Sequence, residues 1–532
     1  MIKITRIVLS ALLIGAFVIT STHAATRTAA TCKASDVQTA VNSASAGDTV
    51  VIPAGTCTWT TQVSWAAPSN VILQGQTTCI GNTPLSCTDN TVIIDNLNRS
   101  SLGDIPGLSI ITNSSGTFRI TGITLENTGS PSNLTWSGIL GIWGSSQQFR
   151  MDHSHLSEVA NVGMDMNGQI YGVIDHCVFD LAVNTTNNGV RVEAAAWGGG
   201  SNNFGDGSWN DATTFGSNRF VFFENNAFNG YGGSNSAAPY ANDCTQGGRW
   251  VFRYNRLNGP QLQTHPTGGG ARHRGCRAEE VYGNTFDGSN SLPSYNVFFL
   301  SSATALIWGN SAPTGYENFL SLREQRGDGD YVQSPPPAGW GVCGAQVNGT
   351  GSAWDFSATT TSGYPCIDQP GRGRGDLLQG DFPNACDVTS GGCSALNYKG
   401  VWSNQVLEPI YEWMDTWSTV PGYPSPFANA QPNDNFTQNR DYYLWCNPSS
   451  PTGCTSFNGT VGVGSGLLAV RPPNCTPSVA YWATDTNTLY QCSAANTWNA
   501  YYTPYVYPHP LVTGSGGGAG PVPPTSLQAT PH

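Results

Sequence analysis

The stretches VFFENNAFNG (221–230), VFRYNRLNG (251–259) and EEVYGNTFDG (279–288) share one pattern: a short apolar strand, an asparagine turn and a second short strand. The apolar residue of the second strand is Phe228, then Leu257, then Phe286, at intervals of 29 residues. A repeat of this length built from short strands is typical of a solenoid. Because no helix is predicted between these strands, we expect the chain to coil as a single-stranded, right-handed parallel β-helix.

The same register extends along the chain in both directions. Four further copies place their apolar residue at Leu125, Leu156, Phe179 and Ala312. Two positions before the seven landmarks stands a column formed by Ile123, Ser154, Cys177, Asn226, Asn255, Asn284 and Asn310. Successive coils lie about 4.8 Å apart, so the asparagines are expected to stack as a ladder of side-chain amides. Cys177 stands in this column and is expected to be a buried, free thiol.

The composition agrees with an all-β protein and excludes several other classes. Of 532 residues, 39% are hydrophobic, 11% are aromatic and only 11% are charged. Disordered chains are richer in charge and poorer in aromatics, and coiled coils need abundant Ala, Glu, Lys, Leu and Arg. The net charge of −12 makes nucleic acid an unfavourable partner.

Four segments are predicted along the chain. Residues 1–24 have the basic start, apolar run and small-residue end of a signal peptide. Residues 25–340 hold the β-helix, which opens with a short capping helix whose N-cap is Ser35. Residues 341–512 form a loop-rich extension that carries many cysteines, and 513–532 read as a flexible Gly/Pro tail. No later stretch is long and apolar enough to span a membrane, so we expect a secreted, soluble monomer that acts outside the cytoplasm.

The chain has 15 cysteines, and disulfides are the default in an oxidising compartment. Spacing alone does not determine how cysteines pair. Pairs close in sequence or on neighbouring coils are the natural expectation, namely Cys79–Cys87, Cys244–Cys276, Cys386–Cys393 and Cys446–Cys454.

Charged residues that face outward from the coils are the first candidates for a functional site. In VGMDMNG, Met164 and Met166 are expected to point inward and Asp165 outward. By the same alternation, Arg191 and Glu193 project from GVRVEA. With Asp243 on the next coil, these acids are expected to share one face. Carboxylate oxygens suit a hard cation, so the expected metal ligands are Asp165, Glu193 and Asp243, with calcium as the possible ion.

A second group of candidates is basic. Residues 249–277 contain six arginines, two histidines and no Asp or Glu, which predicts an electropositive patch beside the acids. Arginine binds carboxylates with paired donors, so Arg191 and Arg277 are expected to hold an anionic substrate. Trp197 and Trp209 are expected to stack on sugar rings.

The asparagine column, the segment GVIDHCVFD (172–180), and Arg272 and Arg274 before EVYGNTF resemble the pectate lyase superfamily of parallel β-helices. The resemblance covers about residues 30–312 and implies a polysaccharide lyase that cleaves a uronate-containing glycan by β-elimination. It implies an arginine base, with Arg274 the first match and Arg272 the second. Arginine is a poor base at its ordinary pKa, so His265 and His273 are equal candidates for that role.

Two other functions remain open from the sequence. Carboxylates on adjacent coils would lie about 5 Å apart and those two coils apart about 9 to 10 Å, distances that suit glycoside hydrolysis. Glu193 with Asp243, or Asp165 with Asp243, would then be the catalytic pair. A non-catalytic surface protein that binds glycans along its β-helix is the third possibility.

Overall fold

The computed structural model describes residues 24–81, 85–112, 116–128, 135–182, 187–194, 205–230, 239–266, 274–288, 296–323, 368–373, 406–418, 427–431, 436–446 and 457–513. Three parallel sheets, here named A, B and C, run the length of the molecule. Ten successive coils contribute one strand to each sheet in that order, and sheet A has one further strand at each end. The predicted parallel β-helix is therefore confirmed.

The strands of the three sheets are short and are listed here in the order in which they pair. Sheet A contains Thr26–Thr28, Thr49–Val51, Val71–Gln74, Phe118–Thr121, Phe149–Asp152, Gly172–Asp175, Val221–Glu224, Arg249–Arg253, Ala278–Tyr282, Thr304–Trp308, Ile410–Trp413 and Tyr442–Tyr443. Sheet B contains Gly55–Trp59, Thr91–Asp95, Thr124–Asn127, His155–Val159, Val178–Leu181, Ala227–Gly230, Arg256–Asn258, Thr285–Asp287, Ser311–Thr314 and Thr416–Trp417. Sheet C contains Val63–Ala67, Leu108–Thr112, Leu140–Gly144, Val162–Gly168, Asn187–Glu193, Pro239–Thr245, Gln261–Thr264, Asn296–Leu300, Asn318–Arg323 and Ala428–Gln431.

The asparagine column forms the turn between sheets A and B. Asn226 donates from its backbone N–H and its side chain to Asn255 Oδ1, at 2.9 and 3.0 Å. Asn255 donates to Asn284 Oδ1 in the same way, and Asn284 to Asn310 Oδ1. Each amide thus satisfies buried backbone groups of the turn, which confirms the predicted ladder. Asp415 continues it by accepting from Asn310.

The β-helix interior is packed with aliphatic and aromatic side chains. The landmark residues that define the repeat are buried, and the rings of Phe179 and Phe228 stack at 4.5 Å on successive coils. Cys177 is buried and free, as expected from its place in the column. This regular filling fixes the register, so alternate residues of each strand face outward.

The N-terminal end is closed by a helix, Ala34–Asn42, which buries Val37, Ala40 and Val41. The sequence predicts Ser35 as its N-cap, but the N-cap is Lys33, whose side chain makes no capping hydrogen bond. Ser35 is therefore already within the first turn of the helix. The other helical segments are short: Arg99–Leu102, Asp206–Asn210, Pro510–Thr513 and the 3₁₀ turn Leu468–Val470. Among the described residues, none of the helices has the length and apolar character needed to cross a bilayer.

The β-helix continues beyond residue 340, where the sequence predicts its end. Strands within residues 410–443 extend all three sheets, so part of the 341–512 segment belongs to the coils. The remainder includes a four-stranded sheet made of Val463–Gly466, Ala480–Ala483, Thr488–Ala494 and Thr497–Tyr502. It packs on the outer face of sheet A, where Trp482 and Tyr502 join a buried cluster with Tyr411 and Trp413.

The disulfides Cys79–Cys87 and Cys244–Cys276 are present as predicted. The first staples a hairpin of Thr78–Ile80 and Ser86–Thr88, and the second joins neighbouring coils. Two further bridges, Cys32–Cys57 and Cys475–Cys492, were not anticipated. Cys386, Cys393 and Cys454, and with them both other predicted pairs, lie outside the described residues, as do the predicted signal peptide up to residue 23 and the tail from residue 514.

Candidate functional site

The outer face of sheet C brings the predicted acids and Arg191 together. Asp165 pairs in register with Arg191, and Arg191 with Asp243, so the three side chains form one row across adjacent strands. Asn167 and Glu193 stand opposite each other in the next outward row. The alternation of inward Met and Val with outward polar residues places them there, as the sequence predicts.

Arg191 is the central group of this face. Its Nε lies 3.0 Å from Asp165 Oδ1 and 3.3 Å from Glu193 Oε1. Glu193 Oε2 also accepts from Asn167 Nδ2 at 2.7 Å. The guanidinium is 16% exposed, whereas the Asp165 side chain beside it is fully buried. Arg191 therefore presents a positive charge outward while two carboxylates hold it from below.

His265 lies beside this group and is the most exposed of its ionisable residues. Its Nδ1 is 3.3 Å from Asp243 Oδ2, and the imidazole is 34% exposed against 7% for the carboxylate. Gln263 Nε2 lies 3.2 Å from Asp243 Oδ1 and 3.1 Å from His265 Nδ1. The result is a histidine backed by a buried carboxylate and flanked by an amide.

Burial and neighbouring charges shift the protonation of these groups. Burial, together with repulsion by Glu193, raises the pKa of Asp165 to about 7. Burial also raises the pKa of Glu193, although Arg191 opposes that rise. His265 overcomes the effect of burial on Asp243 and holds the pKa of that carboxyl below its usual range. In return Asp243 raises the pKa of His265 against the opposing effect of burial.

Aromatic residues lie on both sides of this charged group. Trp143 is in the row of Asn167, and its indole covers Gly141; a Cβ at position 141 would lie 2.5 Å from Trp143 Nε1. On the other side, Phe299 pairs with Gln263, and the guanidinium of Arg323 lies 5.9 Å from the Phe299 ring centre. We name the outward face from Trp143 to Arg323 the sheet C strip. It crosses seven strands and is about 29 Å long at the usual strand spacing.

Four arginines of the predicted patch, Arg249, Arg253, Arg274 and Arg277, are buried, which corrects the roles given to Arg274 and Arg277. Arg274 is 1% exposed and makes a two-pronged ion pair with Asp368, at 2.8 and 2.7 Å. Arg277 is fully buried and pairs with Glu408 at 2.7 Å. A guanidinium held in this way cannot reach a substrate, so neither the catalytic role of Arg274 nor the binding role of Arg277 is supported.

Trp209 is also buried, which contradicts its predicted sugar contact. It packs against the guanidinium groups of Arg274 and Arg277, at 4.9 and 5.1 Å from the ring centre. Its indole N–H donates to Gly275 O. Two other arginines of the patch, Arg249 and Arg253, are buried as well. Arg272, His273 and Trp197 lie outside the described residues.

The three acids proposed as calcium ligands do not fit that role in this arrangement. Arg191 lies between Asp165 and Glu193 and contacts both, so a guanidinium stands where a cation would be shared. Asp243 faces His265 instead. Within the described part of the chain, no three His, Cys, Asp or Glu side chains converge on a possible metal position.

Asn167, Gln263 and Trp143 belong to the site but were not singled out from the sequence. Asn167 follows Asp165 by two positions, and Gln263 precedes His265 by two. The same alternation that placed Asp165 outward would have placed both amides on the strip. The alternation in LGIWG, with Leu140 and Ile142 inward, would likewise have placed Trp143 outward.

Comparisons with known proteins add little to this geometry. No family model matches the chain, and no curated protein matches it. A solved structure that matches is the alginate lyase from Paenibacillus sp. str. FPU-7, with 16% sequence identity over 54% of this chain and 94% of the lyase chain. The TM-score is 0.30. At that value the likeness assigns neither a family nor an activity to this chain.

Proposed function

We propose that this protein is a polysaccharide lyase that binds a uronate-containing glycan along the sheet C strip and cleaves it by β-elimination. The observation that carries the proposal is the order of exposure within the site. His265 and Arg191 reach solvent, whereas Asp165, Glu193 and Asp243 lie beneath them. The groups that can contact a substrate are therefore a base, His265, and a cation, Arg191. The carboxylates contact these two groups from the buried side.

Arg191 supplies the charge that such a substrate needs. A uronate carboxylate placed over Arg191 can accept hydrogen bonds from the guanidinium and from the amides of Asn167 and Gln263. These donors withdraw charge from the carboxylate, so the proton on the adjacent ring carbon becomes easier to remove. Asp165 and Glu193 act as positioning residues, because both contact the guanidinium from the buried side.

His265 is the proposed catalytic base. Its neutral imidazole takes the proton from C5 of the uronate, and a double bond forms between C4 and C5 as the C4–O glycosidic bond breaks. The imidazolium then returns the proton to the departing oxygen, so one group serves as base and acid. Asp243 stabilises the imidazolium formed between these two transfers and orients the ring.

The strip also suits a polymeric ligand. Trp143 and Phe299 are partly exposed on opposite sides of the charged group and can stack on sugar rings. Hydrolysis by paired carboxylates is the less favoured reading of the same face. Asp165 is fully buried, and Glu193 and Asp243 are only 6% and 7% exposed, whereas a hydrolase needs both carboxyl groups of its pair in contact with the bond or its water.

The structure also bears on where the protein acts. Four disulfides lie within the described residues, and such bridges persist in oxidising compartments. We propose that the protein is secreted and meets its glycan outside the cytoplasm.

The test is an assay on a panel of uronate polymers. β-Elimination produces unsaturated ends that absorb in the ultraviolet, in proportion to new reducing ends. We expect wild-type protein to generate both signals and His265→Gln to lose them. His176→Gln is the matched control, because His176 also pairs with an aspartate, Asp175, but lies in the turn after the sheet A strand Gly172–Asp175. Reducing ends without absorbance would indicate hydrolysis, and binding without either signal would indicate a glycan-binding protein.

A further inference from the structure

A pocket with several polar side chains in its lining lies away from the sheet C strip, where sheet A turns into sheet B. It has a volume of about 350 Å³ and is lined by Gln74, Gln76, Thr77, Thr78, Arg119 and His153 among others. One wall is the segment leading into the hairpin stapled by Cys79–Cys87. The opposite wall is formed by Arg119 and Thr121 on the next coil and by His153 on the coil after it.

The pocket is built by the local backbone and by the hairpin. Gly75 lies against the chain at Gly122, and a Cβ at position 75 would come within 2.2 Å of Gly122 O. The hairpin is anchored on sheet B, where Cys79 packs with Val178 and Ala227. Thr77 Oγ1 also lies 2.9 Å from Thr124 Oγ1 on the next coil. These contacts fix the wall before any ligand arrives.

Arg119 lines the pocket with an ion-paired guanidinium that is 22% exposed. Its Nη2 pairs with Asp152 at 2.6 Å, but its buried Nε finds no acceptor among the described residues. Asp152 also pairs with Arg150, which pairs in turn with Asp175. Two guanidiniums are thus balanced by two carboxylates, so the pocket offers hydrogen bonds without an excess of charge.

We propose that this pocket is a separate binding site for one or two sugar residues of a glycan chain. The side-chain amides of Gln74 and Gln76 and the hydroxyl of Thr78 are exposed, and each can donate and accept, as sugar hydroxyls require. The part-exposed ring of His153 adds a flat surface. The volume is within the range of small-molecule sites. The choice of a sugar rests on the proposed function, because the polar lining alone would admit other hydroxyl-rich ligands.

The position of the pocket defines its role. Catalytic groups occupy the outer face of sheet C, whereas this pocket opens at the junction of sheets A and B. A chain held here is not in the cleavage site, so the pocket anchors the enzyme on its polymer and raises the local concentration of substrate.

The test measures binding in the His265→Gln background, which removes the proposed base and so preserves the probe. The probes are xylo-, cello-, manno- and galacturono-oligosaccharides of two to four residues, titrated by calorimetry and by saturation-transfer NMR. We expect at least one probe to bind and its affinity to fall at least tenfold in Arg119→Gln. Gln74→Trp, which fills the pocket from an exposed position, is expected to have the same effect without touching the ion pairs. Arg256→Gln is the matched control, since Arg256 is also part-exposed and ion-paired on a strand.

The outcomes separate this proposal from the proposed function. Binding that is lost in Arg119→Gln and Gln74→Trp supports the pocket, even if the protein cleaves no polymer. Binding that survives both changes but is lost in Arg191→Gln places every probe on the sheet C strip and overturns the pocket while leaving the lyase proposal intact. Failure of all probes to bind also overturns it.

Discussion

Asp165→Asn is expected to stabilise the folded protein at alkaline pH. The buried carboxyl has its pKa raised from 3.8 to about 7, so ionising it inside the protein is unfavourable. Its contribution to stability is fully present below pH 3.8 and is lost as pH rises through about 7. Three pKa units correspond to about 4 kcal/mol at 1.36 kcal/mol each, which is the largest gain expected from removing the charge. Asparagine keeps an oxygen that can accept from Arg191 Nε.

The assay is urea denaturation of wild-type and Asp165→Asn protein at several values between pH 4 and pH 8.5. The two proteins should be similar at pH 4, and the variant should gain stability as pH rises. Some pH dependence should remain in the variant, because burial also raises the pKa of Glu193. Asp36→Asn, at a part-exposed position in the first turn of the capping helix, is the control for a simple loss of negative charge. A difference between wild type and variant that stays constant across the pH range would refute the buried, raised-pKa account of Asp165.

Three further changes test other parts of the structure. Asp243→Asn removes the charge that raises the pKa of His265, so the acidic limb of the pH–rate profile should move to lower pH and the rate should fall; an unmoved limb would exclude His265 as the base. Arg274→Gln breaks a buried ion pair with Asp368 and should cost about 3 to 5 kcal/mol in unfolding free energy while the folded fraction keeps its activity. Activity lost without loss of stability would restore its catalytic role. Asn255→Ala interrupts the ladder, leaves buried donors of the preceding coil unsatisfied, and should cost about 3 kcal/mol by thermal or urea unfolding, whereas a neutral result would contradict the ladder's structural role.

The repeat in the sequence was sufficient to predict the β-helix, because local alternation and the asparagine column determine which side chains face inward. The same alternation correctly placed Asp165, Arg191 and Glu193 on an outward face. These features depend only on residues within one coil and on regular stacking of coils.

The local pattern predicts the wrong exposure for Arg274 and Arg277, because the acids that pair with them lie far away in the chain. Arg274 is neutralised by Asp368, which is 94 residues later in the chain, and Arg277 by Glu408, 131 residues later. A run of 29 residues without an acid therefore looks electropositive in sequence, although Arg274 and Arg277 within it are paired with distant carboxylates in the fold. The sequence leaves open whether the chain after residue 340 forms further irregular coils or a wrapping cap, and its return to the β-helix at residues 410–443 is hard to predict for a related reason. Asp415 takes the ladder position that asparagine holds elsewhere, and it follows Asn310 by 105 residues.

The most direct test of the proposed function is to follow ultraviolet absorbance and reducing ends together on the best polymer of the panel, with a chelator present. The variants are His265→Gln and Arg191→Gln, with His176→Gln as control. The proposed mechanism predicts that wild type and control form unsaturated ends at equal rates, that both site variants lose at least a hundredfold in rate, and that chelation has no effect. Unsaturated products formed at wild-type rate by His265→Gln and Arg191→Gln would contradict it and place the chemistry away from the sheet C strip.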